Sequence, residues 1–301
     1  MWQMIPHTLC LLAAVVRDLC EVEIIDANKE SLSEDEFVRR LVAGGYDLVG
    51  VSVLMDLFSA AGHLAVSLAK LALPETVTVM GGVYATMNPS DAMKNTRLDY
   101  VCLGEGEEVL PELIRHLFHN GKMPERGLAY RAGGQTIIQP KAAFIQELDA
   151  LPRPAYDLVN FASYANWYPR KSVDGPPLLP YVDLMTSRGC PQSCCFCQAV
   201  HISGHRVRVR SSGRVLDEMA YFRENYGVRS LVFVDDNLLA ARPRAMEIFR
   251  GMVDRNLKMP WKANAIAVFR LDEFLLDTMA ESGCQYICVA IESGSPRVLR
   301  D

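Results

Sequence analysis

Thr186-Ser-Arg-Gly-Cys-Pro-Gln-Ser-Cys-Cys-Phe-Cys197 decides how the chain is read, because Cys190, Cys194 and Cys197 stand at the spacing C-x3-C-x2-C on one short loop. Thiolates so placed can share one metal centre, and a set of three leaves a fourth coordination position open. Upstream, the apolar run Leu178-Leu-Pro-Tyr-Val-Asp-Leu-Met185 has the length and composition of a buried strand. The cysteines therefore follow the C-terminal end of a strand, where α/β folds carry their chemistry. Downstream, apolar residues recur at helical spacing from Arg214 to Tyr226, and Gly227 supplies a stop. Ser230-Leu-Val-Phe-Val234 then makes a second strand, ending in Asp235-Asp-Asn237.

The same unit recurs twice. A helix over 242–256 leads to a strand over 261–268, and a helix over 272–282 leads to Gln285-Tyr-Ile-Cys-Val-Ala-Ile291, which ends in Glu292-Ser-Gly-Ser295. Alternation of this length predicts parallel pairing with right-handed crossovers. Four strand ends then carry polar groups on one rim: the cysteine loop, Asp235 to Asn237, Asn264 with Arg270, and Glu292 with Ser293.

The cysteines by themselves leave other chemistries open. His201 or His205 would complete a Cys3His zinc site, although no second C-x2-C pair follows at knuckle spacing. Disulfides fit poorly, since nine cysteines is an odd number and no secretory signal precedes them. Cys195 lies inside the motif but off its spacing, and Cys284 and Cys288 read as core residues.

Residues 178–301 resemble the core of a radical S-adenosylmethionine (SAM) enzyme: the C-x3-C-x2-C motif, Phe196 before its last cysteine, Phe-Val-Asp-Asp-Asn at the second strand and Ile-Glu-Ser-Gly-Ser at the fourth occur in that order. The resemblance implies that Cys190, Cys194 and Cys197 hold a [4Fe–4S] cluster whose open iron binds SAM. It places Phe196 near the adenine, unless that ring is simply a core aromatic. It assigns Asp235, Asp236 and Asn237 to the methionine amino group, a carboxylate facing an ammonium, although Asn237 would also serve as a helix N-cap. Glu292 and Ser293 would meet the ribose hydroxyls. The implied chemistry is one-electron cleavage of SAM to a 5′-deoxyadenosyl radical, with an external donor such as flavodoxin or ferredoxin supplying the electron.

Short apolar runs over 21–26, 46–53, 76–82 and 98–103, separated by helical patterns, predict a doubly wound parallel sheet in the N-terminal third. Ser52-Val-Leu54, followed after 26 residues by Gly81-Gly82 and later by Gly104-Glu105, resembles the cobalamin-binding Rossmann-like domain that precedes some radical SAM cores. By that resemblance Ser52, Leu54, Gly81, Gly82, Gly104 and Glu105 would line a cobalamin site, the glycines letting a nucleotide tail pass close to backbone. The Asp-x-His-x-x-Gly motif that supplies cobalt's lower ligand is not intact. His7 falls near its histidine, but Ile5 and Cys10 stand where Asp and Gly would be, and a helix-entry histidine is the plainer reading.

The expected architecture is α/β: a cobalamin-binding Rossmann-like sheet over 1–122, a hairpin and proline-punctuated linker over 123–177, and four strand–helix units of a (β/α)6 radical SAM barrel over 178–301. The sheet lacks its expected first strand and the barrel its last two, so the sequence reads as a fragment, inactive or poorly active alone. The implied activity is cobalamin-dependent methyl transfer to an unactivated centre. Radical cyclisation without methyl transfer, or a cofactor-binding sensor module, are the alternatives.

Composition agrees with two soluble domains: 301 residues, half of them hydrophobic, with a formal charge of −5. That balance gives no basic footprint for nucleic acid, and Arg206, Arg208, Arg210 and Arg214 read as a solvated strand edge. The apolar run from Leu9 to Val16 is too short to span a membrane and lacks signal-peptide flanks, so the expected substrate is a small molecule and the location cytoplasmic.

Overall fold

The computed structural model describes residues 4–168, 177–298 and 300; residues 169–176 of the expected linker lie outside them. The chain divides into two units, one made of Pro6–Ile145 with Pro152–Val159, the other of Met1–Ile5, Gln146–Leu151 and Asn160–Asp301.

The first unit runs α1 (His7–Val16), α2 (Glu34–Gly44), β1 (Leu48–Ser52), α3 (Ser59–Ala72), β2 (Val77–Gly81), α4 (Val83–Met87), α5 (Pro89–Ala92), β3 (Tyr100–Cys102), α6 (Gly106–Phe118), β4 (Leu128–Ala132) and β5 (Gln135–Ile138). Its sheet has the order β1-β2-β3-β4-β5, with β1 to β3 parallel and β4 and β5 antiparallel. The hairpin read from sequence as connector is thus the far edge of this sheet, Val101 pairing with Ala129. Period-two alternation along β2 feeds two cores. Met80 packs with Val66, Leu98 and Val101 on one face, and Val79 with Cys102, Leu113 and Leu128 on the other. Burial on both faces is what parallel strands require, and each such side chain contributes about 1.5–3 kcal/mol. At the start of α2, Ser33 and Glu36 form a reciprocal capping box.

One expected strand does not form. Residues 21–26 carry no ladder, and their alternating carboxylates have another use: Glu23 binds Arg40 at 2.6 Å and accepts from the Tyr46 hydroxyl.

The second unit runs α7 (Phe161–Ala165), β6 (Tyr181–Leu184), β7 (Ser187–Arg188), α8 (Ala199–Ser203), β8 (Arg208–Val209), α9 (Ser212–Tyr226), β9 (Ser230–Phe233), α10 (Arg242–Asp254), β10 (Trp261–Ala267), α11 (Glu273–Ser282) and β11 (Cys284–Ala290). Its main sheet has the order β11-β10-β9-β6, every pair parallel, so all four C-terminal ends share one edge. Phe233 and Trp261 pack edge to face with centroids 5.2 Å apart, and Phe249 of α10 stacks on Trp261 at 5.0 Å, which seats the helix layer.

Asp183, Val232 and Lys262 occupy one row across β6, β9 and β10. Both charged residues are buried. The Lys262 ammonium donates to the Tyr168 hydroxyl and stands 4.3 Å from that ring's centroid. Burial pushes the Asp183 carboxyl up to about 7, against the opposing pull of Lys262.

Candidate functional site: the C-terminal edges of the two sheets

In the second unit the cysteine loop leaves the end of β6 on a stalk, residues 185–189, that is held at nearly every polar atom. Thr186 is fully buried. Its N–H and hydroxyl both donate to Asp235 Oδ1, at 3.1 and 2.7 Å, and the Ser187 hydroxyl donates to the same oxygen at 2.5 Å. The Thr186 carbonyl accepts from the Arg210 N–H at 3.0 Å and from Arg244 Nη2 at 2.9 Å, while Arg244 Nη1 donates to the Thr186 hydroxyl oxygen at 2.7 Å. The Gly189 N–H then donates to Asp236 Oδ2 at 2.9 Å. A side chain at Gly189 would collide with the Arg206 carbonyl, 2.5 Å from where its Cβ would lie, and the φ of +93° suits glycine.

Two further features close the loop. Ser187 and Arg188 pair antiparallel with Arg208 and Val209, and the Cys190 N–H donates to the Gly204 carbonyl at 3.1 Å. Within the loop, the Cys197 N–H donates to the Cys194 carbonyl at 3.1 Å, the Ala199 N–H to Cys197 Sγ at 3.5 Å, and Asn237 Nδ2 to Cys190 Sγ at 3.8 Å. All nine cysteines are free thiols. Cys190 and Cys197 are half-buried and Cys194 is exposed. Among the described residues no three Cys, His, Asp or Glu side chains are gathered into ligating geometry. The donor set nevertheless suits an iron–sulfur cluster: three soft thiols on one loop, two of them already receiving N–H donors of the kind that stabilise thiolate sulfur.

Asp235 turns Oδ1 inward to the stalk, and burial raises its carboxyl pKa despite the bonds from Ser187 and Thr186 and the charge of Arg244. Several other expectations for this region are corrected. Asn237 caps no helix, since α10 begins only at Arg242 with Ala241 as its cap. Phe196 is not a core aromatic, being 64% exposed. Arg208 and Arg210 do not form a solvated edge. Arg208 is buried and reaches the Ser203 carbonyl at 2.9 Å, and Arg210 pairs with buried Glu218 at 2.6 Å, because the narrow β7–β8 ribbon turns these side chains back beneath the loop. Cys288 is exposed on β11, an edge strand among the described residues, rather than in the core.

At the other strand ends, Asn264 is exposed at a register shift of β10, the kind of irregularity that re-aims side chains beside a site. Exposed Glu292 (φ +64°) and half-buried Ser293 follow β11, the Ser293 N–H bonding back to the Ile291 carbonyl at 2.8 Å. Two acceptors at the β9 end, Asp235 Oδ2 and Asn237 Oδ1, are buried without a donor among the described residues. Such atoms suit an incoming N–H-bearing or cationic group. Thr186 and Arg244 were missed from sequence. Their only signal was a hydroxyl pair between strand and motif, and an arginine beside the Pro243 that opens α10.

In the first unit, Ser52 and Gly81 are the last residues of β1 and β2, paired with each other, and Gly104 follows β3, all at the C-terminal edge of the sheet. After β1 the chain exposes Leu54 (53%), Met55 (39%), Leu57 (80%) and Phe58 (45%), an apolar ledge in place of a polar loop. The two glycines have different reasons to be there. A Cβ at Gly82, whose φ is +94°, would lie 2.4 Å from the Val53 carbonyl oxygen, so the requirement is internal to the fold and not the passage of a ligand. A Cβ at Gly81 would meet nothing closer than Cys102 Cβ at 3.8 Å. The Gly104 N–H donates to Thr86 Oγ1 at 3.0 Å, and Glu105 Oε2 accepts from the Ile145 N–H at 2.7 Å. Beneath the ledge, Tyr84 donates to Asp91 at 2.8 Å and meets His63 Nε2 at 3.0 Å. His7 opens α1 and bonds the Tyr156 hydroxyl at 2.8 Å, as a helix-entry histidine would.

Comparison with known proteins bears on both edges. Residues 3–114 match the B12 binding domain family and residues 184–301 the Radical SAM superfamily. The chain is a B12-binding radical SAM protein. It is 34% identical over 295 residues to cytidylyl-2-hydroxyethylphosphonate methyltransferase of Streptomyces wedmorensis, covering 90% of this chain and 54% of the relative. To an uncharacterized methyltransferase of Pyrococcus horikoshii it is 32% identical over 299 residues, covering 98% and 62%. The chain thus spans little more than half the length of these relatives. Its fold matches that of TsrM, a radical SAM methyltransferase from Kitasatospora setae solved with tryptophan and a SAM analogue, with a TM-score of 0.78 at 19% identity over 98% of this chain and 58% of that one. No helix among the described residues of this B12-binding radical SAM protein is long and apolar enough to cross a membrane.

Proposed function

We propose that the whole protein is a cobalamin-dependent radical SAM methyltransferase acting on an unactivated centre of a small-molecule substrate. The observation that carries this reading is the three-thiol loop fixed to the C-terminal edge of one parallel sheet, in a chain whose other parallel sheet ends in an apolar ledge. Cys190, Cys194 and Cys197 would hold the [4Fe–4S] cluster, with Cys195 off the set. When bound, the cluster and SAM supply one-electron cleavage of a sulfonium, and cobalamin supplies a methyl carrier.

The chain's own residues have simpler tasks. Asp235 Oδ2 and Asn237 Oδ1 offer acceptors to the methionine amino group, Glu292 and Ser293 meet the ribose, and Phe196 covers the adenine. On the other sheet, Ser52, Leu54 and Gly81 leave a flat apolar approach for the corrin, with Gly82, Gly104 and Glu105 shaping the turns behind it. Methyl transfer is favoured over ring formation because relatives at 34% and 32% identity are methyltransferases. The electron would come from a small external donor such as flavodoxin or ferredoxin, in the cytoplasm.

The test is an anaerobic assay of the full-length protein with SAM, hydroxocobalamin and reductant. Formation of both 5′-deoxyadenosine and S-adenosylhomocysteine is the expected result. 5′-Deoxyadenosine alone would favour the cyclase reading, and neither product from a protein carrying both cofactors would favour a binding module.

A further inference from the structure

The stalk of the cysteine loop is held by a buried charge relay whose cationic end, Arg244, lies outside every motif read from the sequence. Arg244 on α10 donates to the Thr186 hydroxyl oxygen, and that hydroxyl donates its own proton to Asp235 at the end of β9. All three residues are buried. Every polar atom of Thr186 is engaged: N–H and O–H by Asp235, hydroxyl oxygen by Arg244, and carbonyl by Arg210 and Arg244. The hydroxyl thus stands between a guanidinium and a carboxylate, and its orientation is dictated by both. Only three residues separate Thr186 from Cys190, and of the residues continuous with Asp235, Asp236 accepts from the Gly189 N–H and Asn237 donates to Cys190 Sγ. A displacement at Thr186 has little slack in which to dissipate before it reaches the first thiol.

We infer that Arg244, acting through Thr186 on Asp235, is the positioning residue that sets the geometry of the cluster-binding loop. This goes beyond the cofactor assignment but rests on it, because it presupposes that Cys190, Cys194 and Cys197 hold the cluster. Arg244 touches neither thiol nor substrate. Its work is to hold the buried Asp235 charge in place and to fix the only hydroxyl rotamer that satisfies both ends. Removing the guanidinium leaves a buried carboxylate without its counter-charge, whereas removing the hydroxyl alone breaks the relay at nearly constant volume. Lysine at position 244 keeps the charge but not the planar fork that spans Oγ1 and the carbonyl.

The experiment compares wild type, Thr186→Val, Thr186→Ser and Arg244→Lys, each reconstituted anaerobically with iron and sulfide in the full-length protein. Iron content after desalting, the rate of iron loss to a chelator and the EPR line of the reduced cluster are measured beside Tm. Thr186→Val and Arg244→Lys are expected to lose iron at least threefold faster and to give a broadened EPR line, with Thr186→Ser close to wild type. Wild-type iron content, release rate and EPR in both variants overturn the inference, whatever happens to Tm. Should Thr186→Val fail to fold, Arg244→Lys decides alone. Failure of the wild type to take up a cluster would overturn the inference together with the cofactor assignment, so the two failures are told apart.

Discussion

The two sheets end in opposite kinds of edge. In the first unit the residues after β1 are apolar and exposed, and the strand-end turns are governed by backbone packing, as at Gly82 against Val53. In the second unit the stalk after β6 is polar and buried, with Asp235, Thr186 and Arg244 bonded to one another. On the proposed function the difference follows from what each edge would hold. A flat macrocycle would need open apolar surface and no obstructing side chain, whereas three thiols would have to be presented in a defined arrangement, which takes a network of fixed hydrogen bonds.

The second unit also carries a buried carboxyl that makes its stability depend on pH. Asp183, with its carboxyl raised to about 7 by burial, binds a proton in the folded state that the unfolded chain releases at ordinary carboxylate values. Between those limits the folded state holds more protons, so stability falls as pH rises from about 4 to about 7 and is level above that. Taken whole, the effect is about 4 kcal/mol. Denaturant melts of Asp183→Asn against wild type should show the slope reduced, with the part carried by the raised Asp235 carboxyl remaining. A slope unchanged by the substitution would place the sensitivity elsewhere.

Gly82→Ala sharpens the contrast from the other side. A Cβ set 2.4 Å from the Val53 carbonyl, at φ +94°, should cost about 2–3 kcal/mol, whereas Gly81→Ala, with 3.8 Å to its nearest neighbour, should cost far less. Equal losses in thermal melts would mean that the turn is not built as described. Smallest in stability is Leu57→Ser. With Leu57 80% exposed, it should change stability by no more than about 0.5 kcal/mol, yet weaken cobalamin uptake measured by visible titration. Unaltered uptake would remove the ledge from the cobalamin site.

Much of this was legible beforehand. Apolar runs and helical spacing give β6, β9, β10 and β11 with the helices between them, and C-x3-C-x2-C marks the loop, because backbone hydrogen bonding and ligand spacing are both local in sequence. The carboxylate-rich run over 21–26 misled, since its Glu23 is used by Arg40 and Tyr46 and not displayed along a strand. Arg208 and Arg210 misled for the converse reason: sequence sees charge but not the ribbon that folds it beneath the loop. Arg244 could not be found at all, for its partner Thr186 lies 58 positions away and only the tertiary fold brings them together.

The most direct test of the central claim is iron and sulfide content after anaerobic reconstitution of wild type and of single alanine variants at Cys190, Cys194, Cys195 and Cys197. About four irons per chain in wild type and Cys195→Ala, with the cluster absorption lost in the other three, is the predicted result. Loss in Cys195→Ala with retention in Cys194→Ala, or tightly bound zinc in place of iron, would contradict it.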